Sequence, residues 1–122
     1  MELSSLYSKD NHEAGAEMIV KGEDGKPTPL ILILRGLDST AYREGNRRMR
    51  RKVLDAMASE GGLESLDETA EDINTFVALT VGWKGTDEEF SADLCRELYT
   101  KAPYIRDQVD SFVGKRANFT KG

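Results

Sequence analysis

Two short segments rich in β-forming residues stand near the start of the chain, separated by turn-forming residues. Glu17 to Lys21 and Pro29 to Leu34 flank a stretch that contains Asp24-Gly25 and Pro27. Asp-Gly and proline are typical of tight turns between antiparallel strands. The pattern predicts a β-hairpin over about residues 16–35.

The second arm of this hairpin, residues 30–34, is apolar at every position instead of alternating. A strand of this kind is normally buried on both faces. A hairpin alone is marginally stable in water, and an open apolar edge invites association. We therefore expect the arm to be covered, either by helices of the same chain or by a second subunit. The second alternative predicts a homo-oligomer.

The rest of the chain has the period and the boundary signals of amphipathic helices. Asp38-Ser39-Thr40 and Ser91 are candidate N-caps, Gly61-Gly62 and Gly82 are helix stops, and Pro103 suits a first helical position. The predicted helices cover residues 39–59, 65–81, 91–101 and 103–113. The expected fold is α+β, mostly α-helical, in a single domain (1–122) with flexible termini at 1–14 and 115–122.

The first predicted helix combines a narrow apolar stripe, which includes Tyr42 and Met49, with a cationic remainder. A solvated outer face that pairs with the acidic segment Glu64 to Asp72 is the simplest interpretation. A protein partner and nucleic acid are the functional alternatives, and the net charge of −5 disfavours nucleic acid. The basic residues are Arg43, Arg47, Arg48, Arg50, Arg51 and Lys52.

The composition, 39% hydrophobic and 32% charged, is that of a globular chain. The longest apolar run, Leu30 to Leu34, is far shorter than the roughly 20 residues of a membrane helix. We expect a chain that is soluble, not exported and not in contact with a membrane. The single cysteine, Cys95, cannot form an internal disulfide, which is compatible with a reducing cytoplasm.

Chemistry-bearing residues are sparse. The chain has one histidine, His12, expected to be solvated in the flexible start, and Cys95 lies on the apolar side of a predicted helix, where core packing is expected. Acidic pairs such as Glu71-Asp72 and Glu88-Glu89 fall at helix starts or in loops, where carboxylates serve capping. The sequence therefore predicts no catalytic, metal-binding or cofactor-binding residue, and a protein that is not an enzyme.

The order and spacing of several segments resemble the tail assembly chaperones of siphophages, the long-tailed bacteriophages, and of related prophages. The likeness spans about residues 15–119 and is most specific from Gly82 to Phe119. It rests on Gly36 to Arg43, Val81 to Gly85, Phe90-Ser91, Leu98-Tyr99, Ala102 to Ile105, Gln108-Val109, Phe112-Val113 and Arg116 to Phe119.

This resemblance implies a non-catalytic protein of the host bacterial cytoplasm, absent from the mature virion. Members of the family bind the long tape measure protein and keep it soluble while tail tube subunits polymerise around it. A longer form made by ribosomal frameshifting typically adds a domain that contacts the tube subunits. The alternatives are a tail or adaptor component retained in the virion, and a small DNA-binding regulator that uses the basic helix 43–52.

Candidate contacts for an apolar partner follow from side-chain chemistry alone, since the family resemblance marks no binding residue. Trp83, which lies between two glycines (Gly82 and Gly85), is interpreted as a structural anchor of its loop, with partner contact as the alternative. The candidate contacts are Leu30, Leu32, Leu34, Tyr42, Met49, Phe112 and Phe119.

Overall fold

A computed structural model describes residues 1–120 of the chain. The fold is α+β and mostly helical, with a β-hairpin near the start, as the sequence predicts. Short 3₁₀ turns occupy Leu3–Leu6, Gly62–Ser65 and Arg116–Phe119. The helices and strands, in chain order, are α1 (Lys9–Ala14), β1 (Ala16–Lys21), β2 (Pro27–Leu34), α2 (Thr40–Ala58), α3 (Glu68–Leu79), β3 (Thr80–Lys84), α4 (Ala92–Lys101) and α5 (Pro103–Val113).

Three of the four predicted helices begin at a residue whose side chain caps them. Ser39, Asp67 and Ser91 each accept a hydrogen bond from the backbone N–H three residues later, at 3.1–3.2 Å. Pro103 is the first residue of α5, as expected. The prediction for residues 65–81 was too long at both ends, because Asp67 is the N-cap of α3 and the helix ends at Leu79.

A third strand, absent from the sequence prediction, completes the sheet. The strand order is β1-β2-β3, with both pairs antiparallel and β2 in the middle. Leu32 lies opposite Met18 on one side and Trp83 on the other. The interpretation of Gly82 as a helix stop was wrong, since Gly82 lies within β3, opposite Ile33.

The helices cover one face of this sheet and form the core with it. Leu32, Leu34 and Val20 point into that core and are at most 2% exposed. The helices contribute further buried side chains, and Cys95 is fully buried among them, as predicted. These are Ile73, Val77, Leu79, Cys95, Tyr99, Ile105, Val109 and Val113.

The other face of the sheet is only partly covered. Ile31 and Ile33 are half-buried there, and the neighbouring Ile19 is 56% exposed. The expectation that both faces of β2 are buried is therefore met only on the helix side, by the chain itself. The alternative of coverage by a second subunit stays a prediction.

Both ends of the described chain pack against the loop that precedes α2. His12 is 1% exposed and its ring stacks on Phe119, with ring centroids 4.7 Å apart. The Nδ1 atom of His12 accepts a hydrogen bond from the backbone N–H of Asp38 at 3.2 Å. The expectation of a solvated His12 was wrong, because a stacking partner 107 positions later encloses the ring. The ends predicted to be flexible, 1–14 and 115–122, contain α1 and the 3₁₀ turn Arg116–Phe119, and their flexibility stays a prediction. Lys121 and Gly122 lie outside the described residues.

Within residues 1–120, no helix combines the length and the apolar character needed to cross a membrane.

Candidate partner-binding groove

An open groove of about 530 Å³ lies between the hairpin end of the sheet and the helices α4 and α5. The helices cover Leu32 and Leu34 fully, but toward the hairpin turn the sheet and the helices leave a gap between them. Its apolar walls are Val20, Leu30 and Trp83 from the sheet, and Leu94, Leu98 and Tyr104 from the helices.

Trp83 is fixed in one wall of this groove. Its indole N–H donates to the carbonyl oxygen of Glu88 at 2.8 Å, and its ring meets Phe90 edge-on at 5.0 Å. Both contacts hold the loop between β3 and α4, which agrees with the interpretation of Trp83 as an anchor. The same ring also lines the groove, so anchoring and availability to a partner are compatible here.

The rim of the groove is polar. Glu88, Glu97 and Lys101 lie around it, and Lys101 donates to a carboxylate oxygen of Glu97 at 2.7 Å. This hydrogen bond lowers the pKa of the Glu97 carboxyl, so Glu97 is ionised near neutral pH. An apolar floor with an ionised rim suits the apolar face of an amphipathic segment better than a small polar ligand.

The residues predicted to contact a partner divide into two groups. Leu30 lines the groove, and Tyr42, Met49 and Phe112 are half-buried elsewhere on the molecule. The other three were wrongly assigned as contacts for this fold, because helices or the His12 ring cover them. Leu32 and Leu34 are 0% exposed and Phe119 is 3% exposed.

Sequence reasoning missed the groove residues contributed by α4. Leu94 and Leu98 stand four residues apart on the apolar side of that helix, and both are only half-buried. Their spacing marks one helix face, but the sequence does not reveal that the sheet leaves this part of the face uncovered.

The basic residues of α2 separate into paired and exposed groups. Arg48 and Lys52 contact Glu71 of α3, at 3.7 and 2.6 Å, in agreement with the predicted pairing to the acidic segment. Arg43 contacts Asp38 at 3.0 Å. Over residues 1–120, Arg47, Arg50 and Arg51 are exposed and have no carboxylate within 4.0 Å.

The two side chains best suited to nucleophilic or acid–base chemistry, Cys95 and His12, are buried and packed against other residues. Cys95 is fully buried, and burial raises the pKa of its thiol above the ordinary value. The ring of His12 is held between Phe119 and Asp38. In the described part of the chain, no group of three or more His, Cys, Asp or Glu side chains is arranged to hold a metal ion.

No protein-family model, curated protein sequence or solved structure matches this chain.

Proposed function

We propose that the protein is a non-catalytic tail assembly chaperone that binds the tape measure protein of a long-tailed phage and keeps it soluble. The order of motifs from Gly36 to Phe119 supports the family, and one structural observation supports the mode of action. That observation is the apolar groove between the hairpin end of the sheet and α4, open to solvent and rimmed by ionised side chains.

The chemistry of the groove fits the expected partner. A tape measure protein is a long helical chain with apolar stripes, and an amphipathic helix binds a groove by placing a few apolar anchors in it. The groove volume of about 530 Å³ falls within the range of sites that enclose apolar groups. Leu30, Leu94 and Leu98 are the side chains that would receive such anchors.

The expected affinity of one site is modest. Burying one leucine or phenylalanine side chain contributes roughly 1.5–3 kcal/mol, and the loss of freedom on association offsets much of the sum over a few anchors. A homo-oligomer would present several such sites to one long partner and raise the overall affinity without tightening each site. Weak individual sites also permit release when tube subunits replace the chaperone.

The protein acts in the host bacterial cytoplasm, is absent from the mature virion, and has a frameshifted longer form that contacts tail tube subunits. No catalytic step is part of this role.

Co-expression with the tape measure protein tests the proposal. We expect the tape measure protein to move from the insoluble to the soluble fraction and to co-purify with the wild-type chain. Leu94→Glu should abolish this effect while preserving α4, because a glutamate three residues after Ser91 completes a capping box.

Leu63→Glu is the matched control, since Leu63 is 55% exposed and lies outside the groove, and it should behave as the wild type. A tape measure protein that is equally insoluble with and without this chain would contradict the proposal. Mass spectrometry of purified particles supplies an independent check, because stoichiometric presence in the virion would favour a structural tail component.

A further inference from the structure

The side of α2 that faces away from the core carries an ordered set of exposed residues. We call it the outer face of α2. Its residues follow the helical spacing i, i+4, i+7, i+11, i+14, with Arg51 beside them, so they share one side of the helix. They are Arg43, Arg47, Arg50, Leu54 and Met57, together with Arg51.

Contacts on the opposite side fix the direction in which this face points. Gly45 is buried against Thr75 of α3, where an added Cβ would collide with the threonine side chain. Ala56 is 7% exposed, and Arg48 and Lys52 hold Glu71. Because these contacts all lie on one side, α2 cannot rotate to bury the outer face within the same subunit.

The outer face changes character along the helix axis. Its first half is cationic, and Arg47, Arg50 and Arg51 contact no carboxylate of residues 1–120. Its second half is apolar, with Leu54 65% and Met57 64% exposed. The span from Arg43 to Met57 is about 21 Å at the rise of an α-helix, which corresponds to roughly four turns.

We propose that the outer face of α2 is a second interaction surface, which binds an acidic amphipathic helix of another protein. Carboxylates on one half of that helix pair with Arg47, Arg50 and Arg51, and apolar side chains on its other half cover Leu54 and Met57. The surface is separate from the groove, so the inference does not depend on the function proposed for the groove.

The composition of the face selects this partner over other polyanions. A nucleic acid backbone would satisfy the arginines but leave Leu54 and Met57 without apolar contacts, and the chain as a whole carries a net charge of −5. A helix that lies in a membrane surface carries its cations and apolar residues on different sides of its circumference. On the outer face of α2, the cationic residues and the apolar residues follow each other along one side of the helix. This arrangement matches a partner helix with an acidic half and an apolar half.

The test uses the full chain and fluorescently labelled synthetic helices. The probe carries glutamates at i, i+4 and i+7 and leucines at i+11 and i+14, and it is made in both sequence orders, because the helices can pair parallel or antiparallel. We expect one order to bind in fluorescence anisotropy, and binding to weaken at least tenfold between about 50 and 500 mM salt. Arg47→Glu/Arg50→Glu should weaken it by tenfold or more, and Leu54→Ser/Met57→Ser by severalfold.

The control variant Lys9→Glu/Lys26→Glu changes the net charge equally at two exposed positions outside α2 and should bind as the wild type. The groove variant Leu94→Glu should also bind the probe normally, which separates a failure here from a failure of the groove. Circular dichroism confirms that each variant is folded.

Three results would overturn the inference. The first is that the probes show no specific binding, either because neither probe binds or because the control variant loses as much affinity as Arg47→Glu/Arg50→Glu does. The second is that duplex DNA or anionic lipid vesicles bind through Arg47 and Arg50 more tightly than the probe does. The third is a dimer of the wild-type chain alone that Arg47→Glu/Arg50→Glu dissociates, which would assign the face to a second copy.

Discussion

The guanidinium of Arg116 holds the carboxylate of Asp38 through two hydrogen bonds, of 2.9 and 3.0 Å. Arg43 donates to the same carboxylate at 3.0 Å, and His12 Nε2 lies 3.6 Å from it. Asp38 thus connects the loop before α2 with both ends of the described chain. The hydrogen bond from Arg116 is the main reason that the pKa of Asp38 falls to about 2.

Asp38→Asn should destabilise the protein at neutral pH by about 1 kcal/mol, because the replacement removes the charge that two arginines contact. Since the pKa of Asp38 is lowered from 3.8 to about 2 on folding, its contribution is complete above about pH 4 to 5 and disappears as the pH falls toward 2. Urea denaturation at pH 7 and pH 2.5 should therefore show a difference from the wild type that shrinks at the lower pH.

Asp55→Asn serves as the comparison, since Asp55 is an exposed carboxylate on α2 with no ion pair among residues 1–120. It should unfold like the wild type at both pH values. If Asp38→Asn lowers the free energy of unfolding by the same amount at pH 2.5 as at pH 7, the charge of Asp38 is not the cause of the effect.

Glycine is required at position 36 because the ring of His12 leaves no room there for a Cβ. A Cβ at Gly36 would overlap His12 Nδ1, and that ring is confined by Phe119 on its other side. Gly36→Ala should cost about 1–3 kcal/mol in the free energy of unfolding, as overpacking of a buried site does. The cost should fall in a His12→Ala background, and a double-mutant cycle by thermal or urea unfolding measures the coupling.

Gly82→Ala is a suitable control for that substitution. An added Cβ at Gly82 meets no atom within 4 Å. The free energy of unfolding of Gly82→Ala should lie within about 0.5 kcal/mol of the wild-type value. Additive effects of Gly36→Ala and His12→Ala would show that the steric explanation is incorrect.

The sequence was sufficient for elements with strong local signals. The turn at Asp24-Gly25, the caps Ser39 and Ser91 and the start of α5 at Pro103 all depend on neighbouring residues, and the structure has each of them. β3 was missed because Val77 and Thr80 continue the helical period of α3, while β3 itself has only five residues. Its pairing with β2 is a long-range contact that local periodicity does not report.

The environment of His12 and the position of the groove depend on similarly distant contacts. His12 is enclosed by Asp38 and Phe119, which come from the middle and the end of the chain. The groove lies between the sheet and α4 near Leu30, and its position depends on how these elements pack in space, which the order of apolar residues does not specify. The apolar character of Leu30, Leu94 and Leu98 was evident from the sequence, but their partial exposure was not.

Thr80 and Tyr99 form a buried pair that predicts unequal effects of two isosteric changes. The Thr80 hydroxyl donates to the carbonyl oxygen of Phe76 at 2.8 Å, so the Tyr99 hydroxyl, 2.6 Å away, is the donor in the pair. Tyr99 is 0% exposed, and burial raises its pKa above the ordinary value. Thr80→Val should cost about 1–3 kcal/mol, because it removes the acceptor of a buried hydroxyl, whereas Tyr99→Phe should cost about 1 kcal/mol.

Chemical denaturation of the two variants and of the double variant measures this difference. In the double variant both polar groups are absent, so the combined cost should be smaller than the sum of the single costs. Equal costs for the two single changes would mean that the Tyr99 hydroxyl finds another acceptor, for which the Cys95 sulfur is a candidate.

Gln108 of α5 caps the free edge of β1 at Lys21. Its side-chain nitrogen donates to the carbonyl oxygen of Lys21 at 2.7 Å, and its oxygen accepts from the backbone N–H of Lys21 at 2.9 Å. Gln108→Ala should speed hydrogen exchange of the Lys21 amide by tenfold or more, as measured by NMR. It should also increase concentration-dependent association in size-exclusion chromatography, because an uncapped edge strand can pair with another chain.

Gln108→Glu separates the two halves of this contact. A carboxylate can still accept from the Lys21 N–H but cannot donate to its carbonyl oxygen, so exchange of the Lys21 amide should stay close to the wild-type rate. Because the added negative charge at the edge opposes association, this variant should remain as monodisperse as the wild type. If Gln108→Ala leaves both amide exchange and association unchanged, the helix itself protects the edge of β1 and the side chain of Gln108 is dispensable.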